Sequence, residues 1–319
     1  MITYVIRRLL IGILVLFLVS LIVFFSVRLL PGDPVLIYVA GQAGGSTITQ
    51  EKLDELRHEY GLDKPVPVQY LNWVKGALTG DLGQSIMYRD DVGKLLKQRF
   101  PVTLTLGFVS LIISTLLGIF FGLVAAVRRG TWIDTLVTFL SYIGLCIPVF
   151  MLAFALIYVL GGKAHWLPMV GWTAPWKNFG MSVKQSIMPI IVLGMVPLAM
   201  TARQMRSSVL EVNNMDYIRT AWSKGLGERV IVTRHILKNS LIPVITMIGI
   251  AVGIIFGGAV IEEMIFAIPG MGRLLVQGVL NRDYVVIQGG TLVIATIIVF
   301  VNIIVDISYG WLDPRIRYG

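Results

Sequence analysis

Six long runs without a single charged residue decide what this chain can become. They are Leu9–Val27, Val102–Val127, Thr135–Gly162, Gln185–Ala202, Asn239–Ile261 and Tyr284–Val305. Crossing the hydrocarbon core of a bilayer takes about 20 apolar residues in a helix. Backbone groups facing lipid must be satisfied within the segment, so each run is expected to be helical. The composition agrees: 56% of residues are hydrophobic and 14% are charged, where a soluble domain has about a quarter charged. The fold class is therefore all-α, a polytopic membrane protein with six transmembrane helices. Pro148, Pro189 and Pro197 fall in or near these runs and are expected to kink helices, not to end them. Arg7 and Arg8 precede the first run as in a signal peptide. That run is too long, and RLLPGDP follows it in place of a small-residue cleavage site, so an uncleaved span is expected.

The net charge of +9 then reports topology, not nucleic-acid binding. Lys and Arg in short flanks mark the cytoplasmic side. With six spans both termini share one side, which collects Arg7, Arg8, Arg128, Arg129, Arg203, Arg206, Arg219, Lys224, Arg229, Arg234, Lys238, Arg315 and Arg317. The opposite loops carry only Lys163, Lys177, Lys184, Arg273 and Arg282. Four regions follow: 1–30, a cytoplasmic N-terminus and first span; 31–100, an extracytoplasmic helical segment; 101–310, a five-helix core with a cytoplasmic loop at 208–240; and 311–319, a cytoplasmic tail. In the outer segment, Thr47 and Gln50 suggest a capping box for a helix over Glu51–Tyr60, stopped by Gly61. Pro67–Leu78 reads as a second helix with Tyr70 and Trp73 on its apolar face, ended by Gly80. Val92–Arg99 reads as a third, leading into the second span.

The most informative polar stretch is DYIRTAWSKGLGERVIVTRHILKNSLIP, from Asp216 to Pro243. Asp216 suits a helix N-terminus. Tyr217, Thr220, Ala221 and Lys224 follow at helical spacing, and Gly225 can take the left-handed conformation that stops a helix. Ala221 is small enough for a partner to come close. The expectation is a short helix across the cytoplasmic ends of the spans that turns an outside push into span movement.

Recognisable chemistry is otherwise sparse. Cys146 is the single cysteine, so an intramolecular disulfide is excluded. His58, His165 and His235 are scattered, without metal-ligand spacing. There is no nucleophile elbow and no phosphate-binding G-x-x-x-x-G-K-[ST] loop. Charges inside spans often carry function. Asp306 is expected to pair with Arg203 or Arg206. Glu262 and Glu263, at the outer end of the fifth span, and Arg273, in the glycine-punctuated loop Ala267–Asp283, are the translocation-path candidates; one glutamate could meet the amino group of a solute, or both could be solvated.

Arg219-Thr220-Ala221 followed by Gly225 has the spacing of the EAA–G loop of ATP-binding-cassette importer permeases. DYIRTAWSKGL with RHILKNSLIP resembles the dipeptide/oligopeptide branch of that family. So do LPGDP, YGLDKPVPVQY, GDLGQS, RSSVLEV, FAIPGMGRLL, DYVVIQGG and LDPRIR, in order along nearly the whole chain. The likeness is to the first of two permease subunits. Arg219 stands where the wider superfamily often has glutamate, and Lys238 where it has proline. The resemblance implies a type I importer permease in a bacterial or archaeal cytoplasmic membrane. It implies a second, similar permease, two cytoplasmic ATPase subunits and an extracytoplasmic substrate-binding protein as partners. ATP and Mg would reside on the ATPases, and this chain would carry no cofactor and no catalytic residue. Asp216, Tyr217, Arg219, Thr220, Ala221, Lys224, Gly225 and Leu226 would form the helix seated in an ATPase groove. The solute could be a peptide, glutathione, a nickel complex or an oligosaccharide. The competing class is a proton- or sodium-coupled secondary transporter, which should show broken helices around midplane charges; these runs are nearly free of such charge.

Overall fold

The computed structural model describes residues 2–29, 35–36 and 50–312. The LPGDP stretch, Thr47 of the expected capping box and the tail beyond 312 lie outside them. Among the described residues all regular structure is helical, apart from one isolated bridge between Gln84 and Asp91. The helices are α1 (Ile2–Arg28), α2 (Gln50–Glu59), α3 (Val66–Thr79), α4 (Val92–Val127), α5 (Trp132–Cys146), α6 (Val149–Lys163) and α7 (Phe179–Asn213). After them come α8 (Asp216–Ser223), α9 (Glu228–Ile265), α10 (Met271–Leu280) and α11 (Tyr284–Leu312). Among the described residues five stretches are long and apolar enough to cross a membrane singly: Tyr4–Arg28, α4, α7, α9 and Tyr284–Ile307.

The third expected span is not one kinked helix. It is the pair α5 and α6, bent by 104° at their junction. Ile147, before a proline, is pushed to extended backbone (φ −71°, ψ 124°), and Pro148 itself is extended (φ −58°, ψ 133°). Proline supplies no N–H and crowds the residue before it out of the helical region, so here it ends the helix. Pro189 and Pro197 instead stay inside α7, where Met188, Val192, Leu193 and Ala199 are all buried. Packing along that face holds the helix through both prolines. The separate helix expected over Val92–Arg99 is continuous with the second span. Pro101 lies inside α4; both it and Lys97, whose carbonyl loses its helical donor, are exposed. α7 begins where Asn178 Oδ1 accepts from the Met181 N–H at 3.0 Å and runs 35 residues, about 50 Å at 1.5 Å per residue. It overhangs the hydrocarbon core.

The chain forms two compact units. The first comprises Met1–Arg8, Leu104–Ile268 and Val301–Gly319. In it α4 meets α7 backbone to backbone: a Cβ on Gly122 would lie 2.4 Å from the Ala202 carbonyl oxygen, and one on Gly118 2.7 Å from Thr201 Cβ. Small residues at one helical turn's spacing permit such an approach. At the ends of α1 and α11, Arg8 pairs with Asp306 at 3.0 Å, and the Tyr4 hydroxyl donates to the Asp306 carbonyl. Asp306 therefore meets Arg8, not Arg203 or Arg206.

The second unit comprises Leu9–Thr103 and Pro269–Phe300. Val92, Leu95 and Leu96 of α4 bury themselves against Met271 and Leu274 of α10 and Val286 of α11. The carboxylate of Asp283, 1% exposed, joins two of the sequence motifs. It accepts from Ser85 Oγ at 2.5 Å, from the Met87 N–H at 3.0 Å and from the Val286 N–H at 3.3 Å. One acid thus caps α11 and fastens the GDLGQS loop to it. We expect Asp283→Ala, which strands two buried donors, to cost on the order of 3 kcal/mol, read as a lowered Tm in detergent; Asp283→Asn, which keeps one acceptor oxygen, should lose less.

Candidate functional site

The polar stretch between α7 and α9 folds as a helix bounded on both sides by local chemistry. Met215 is extended (φ −75°, ψ 148°) and precedes Asp216, which places an acidic side chain in the first turn of α8. Here it favours the positive end of the helix dipole. Its contact with Arg219 at 3.3 Å is between side chains 97% and 74% exposed, and such a pair adds little. At the other end Gly225 has φ +73°. The Gly225 N–H donates to the Trp222 carbonyl and the Leu226 N–H to the Ala221 carbonyl. This is a Schellman closure, in which a residue with a Cβ would be strained.

α8 has two faces. Ile218 is fully buried and Ala221 is 6% exposed; both pack with Ala126, Met205, Val209, Val212, Ile231, Ile236 and Val244. Leu226 packs on the same cluster, supplying the apolar contact that accompanies such a closure. Ala221 therefore does not offer its small side chain outward. It shares a stripe with Ile218 three residues earlier, and its size lets α8 lie close to the ends of α7 and α9. Tyr217, Arg219, Thr220, Trp222, Ser223 and Lys224 are exposed, with Trp222 at 46%. Tyr217 is also anchored, its hydroxyl accepting from Asn239 Nδ2 at 2.7 Å. Burying a side chain such as Ile218 or Ile231 contributes about 1.5–3 kcal/mol, so α8 is held to the spans chiefly by apolar contact.

A second tie in this unit has no counterpart in the sequence reading. Arg206 on α7 grips Asp134 on α5 with two bonds, Nε to Oδ1 at 2.6 Å and Nη2 to Oδ2 at 2.9 Å. Asp134 also accepts from the Gly130 N–H at 3.1 Å. Arg203 lies over the Tyr142 ring at 5.0 Å. The available signal was the acid at the mouth of the third span, just before the charge-free run.

Of the path candidates, Glu262 and Glu263 lie in the last turn of α9, 2% and 1% exposed, so neither is solvated. Glu262 has no hydrogen-bond partner on either carboxyl oxygen. Their carbonyls close the helix by accepting from the N–H groups of Phe266 and Ile268. Arg273 is half-buried on α10 and belongs to the other compact unit. Among the described residues no group of His, Cys, Asp or Glu could hold a metal ion.

Comparison with known proteins settles the class. The family described as binding-protein-dependent transport system inner membrane component matches residues 118–318, and the N-terminal part of the same kind of component matches residues 1–107. The chain belongs to this family. It is a multi-pass permease of the inner membrane, of the type I importer fold. The expected resemblance to dipeptide/oligopeptide permeases is borne out. The permease is 40% identical to the dipeptide transport system permease protein DppB of Escherichia coli, over 100% of this chain and 99% of that one. It is 37% identical to the di/tripeptide transport system permease protein DppB of Pseudomonas aeruginosa, over 100% and 99%. Against the DppB of Alkalihalophilus pseudofirmus the identity is 36% over the full length of both.

The Asp134–Arg206 pair gives a test of the permease core. Asp134→Ala and Arg206→Ala should each destabilise it, while the double variant loses less than the sum. A coupling energy of about 1 kcal/mol or more is expected from the double-mutant cycle.

Proposed function

We propose that this permease forms half of the translocation path of an ATP-driven importer for di- or oligopeptides. The observation that carries the reading is the full-length similarity to peptide permeases, 36–40% identical from end to end. A second, similar permease would form the other half. Two cytoplasmic ATPase subunits would bind ATP and Mg, and an extracytoplasmic binding protein would deliver the solute and select it. Both termini and α8 would face the cytoplasm, in keeping with the Lys and Arg on that side.

In this scheme α8 is the coupling helix. Its outward residues Tyr217, Arg219, Thr220, Trp222 and Lys224 would occupy a groove on one ATPase. Its inward residues Ile218 and Ala221 would carry the movement to α7 and α9 through the shared cluster. Gly225 and Leu226 would keep the helix short and its exit angle fixed. Glu262, Glu263 and Arg273 remain the path candidates on this chain. A buried carboxyl without a partner is costly, and Glu262 would gain most from a cationic group arriving during transport.

Because Ala221 faces inward, the test belongs on the exposed face. In proteoliposomes with all subunits, Thr220→Arg and Trp222→Asp should each lower ATP-dependent peptide uptake at least tenfold with insertion unchanged. Uptake by the unaltered transporter should persist when a protonophore collapses the proton gradient. Normal uptake by both variants would remove the coupling role; loss with the protonophore would favour secondary transport.

A further inference from the structure

The first unit holds a cavity of about 290 Å³ between α7 and α9 that the coupling scheme leaves unused. Met200, Arg203, Gln204 and Ser207 of α7 line it, with Met247 of α9. The four α7 residues follow i, i+3, i+4, i+7 spacing and so share one face of the helix. Arg203 and Ser207 are exposed, and Met200, Gln204 and Met247 are half-buried, so these side chains border the open space itself. Arg203 directly follows the charge-free run Gln185–Ala202. The cavity therefore lies at the end of the spans nearest α8.

The charge there is unmatched. Arg203 and Arg206 stand one helical turn apart, and Arg206 takes both carboxyl oxygens of Asp134. Asp306 is taken by Arg8. Arg203 is left with the face of the Tyr142 ring at 5.0 Å, and among the described residues no carboxylate pairs with it. A charged group at a span is costly and as a rule faces a cavity or a pathway. A planar guanidinium matches a carboxylate through two parallel bonds. A phosphate would call for a second cation, and among the described residues none lines the cavity. Gln204 is steadied by the bond from its Nε2 to Ser208 Oγ at 3.2 Å, and its amide keeps a second N–H. The two methionines suit an apolar group beside the carboxylate, and their thioether side chains adapt to many shapes. The volume is at the low end for small-molecule sites, roughly 300–1,000 Å³, so the cavity takes one end of a solute and not a long one.

The cavity also sits on the segments that α8 grips. Met205, Val209 and Val212, on the opposite face of the same stretch of α7, pack beneath α8, and so does Val244, one turn before Met247. Resting on the peptide-import reading, we propose that this cavity is the inner station of the translocation path, where Arg203 holds the C-terminal carboxylate of the peptide. Gln204 and Ser207 would donate to the same carboxylate, and Met200 and Met247 would flank the last side chain. Movement of α8 would act on the width of the station through α7 and α9.

Saturation-transfer NMR on the assembled, nucleotide-free transporter in nanodiscs tests this, with trialanine and its C-terminal amide as probes. The binding protein is left out, which removes its own selectivity. Trialanine should bind at least tenfold more tightly than the amide, and inorganic phosphate at equal concentration should not displace it. Arg203→Gln should bring the two probes within twofold of each other, while Arg203→Lys should keep part of the preference. If Arg203→Gln does not assemble, the comparison of acid and amide on the unaltered transporter decides. Equal or undetectable binding of the two probes, an undiminished preference in assembled Arg203→Gln, or displacement by phosphate would overturn the station. ATP-dependent uptake of trialanine into proteoliposomes, with the binding protein present, separates this from the broader reading. Uptake together with equal binding would remove the station alone; no uptake would remove the peptide reading and the station with it.

Discussion

The apolar cluster beneath α8 is the contact on which the rest of the account depends. Ile218 and Ala221 contribute one stripe of a helix of only eight residues, too short to be stable alone. It exists because Met205, Val209 and Val212 from α7, and Ile231, Ile236 and Val244 from α9, close around that stripe. A surface helix and the ends of two spans thus share one core. Cores are close-packed and resist compression, so displacing α8 without displacing those ends would open a void.

Polar ties add direction to this apolar hold. The bidentate Asp134–Arg206 contact fixes α5 to α7, and Arg8–Asp306 fixes the start of α1 to the end of α11. In the second unit Asp283 serves three donors at once. Removing one partner of a buried polar set strands the others, which is why such ties specify one arrangement more than they add stability. Glu262 departs from this pattern, a buried carboxyl without a hydrogen bond, and so stays a candidate for meeting substrate.

The positions of the spans were legible because the bilayer imposes a length and forbids charge, and both are written in the sequence. The ends of α8 were legible as well, since a left-handed closure at Gly225 is local chemistry. What depends on distant neighbours was not. Pro148 ends a helix while Pro189 and Pro197 do not, and only the packing around α7 tells them apart. Helical spacing placed Ala221 on a face but could not say which face was covered, because Met205 and Ile231 come from other elements. Asp306 had several arginines to choose from; Arg206 was already taken by Asp134. For Glu262 and Glu263 solvation stayed open beside a role in the path because the end of α9 was drawn a few residues early, at Ile261, where the helix runs to Ile265.

The central claim is that α8 and the end of α7 move as one body. Ser223 on α8 and Glu211 on α7 are both exposed, lie outside the residues assigned to the ATPase groove, and can carry spin labels. Their separation can be measured by double electron–electron resonance in the assembled transporter, without nucleotide and with ATP trapped. One narrow distance distribution, unchanged between the two states while uptake remains active, is the predicted result. A shifted or broadened distribution with ATP would mean that α8 slides over the spans, and would contradict the account.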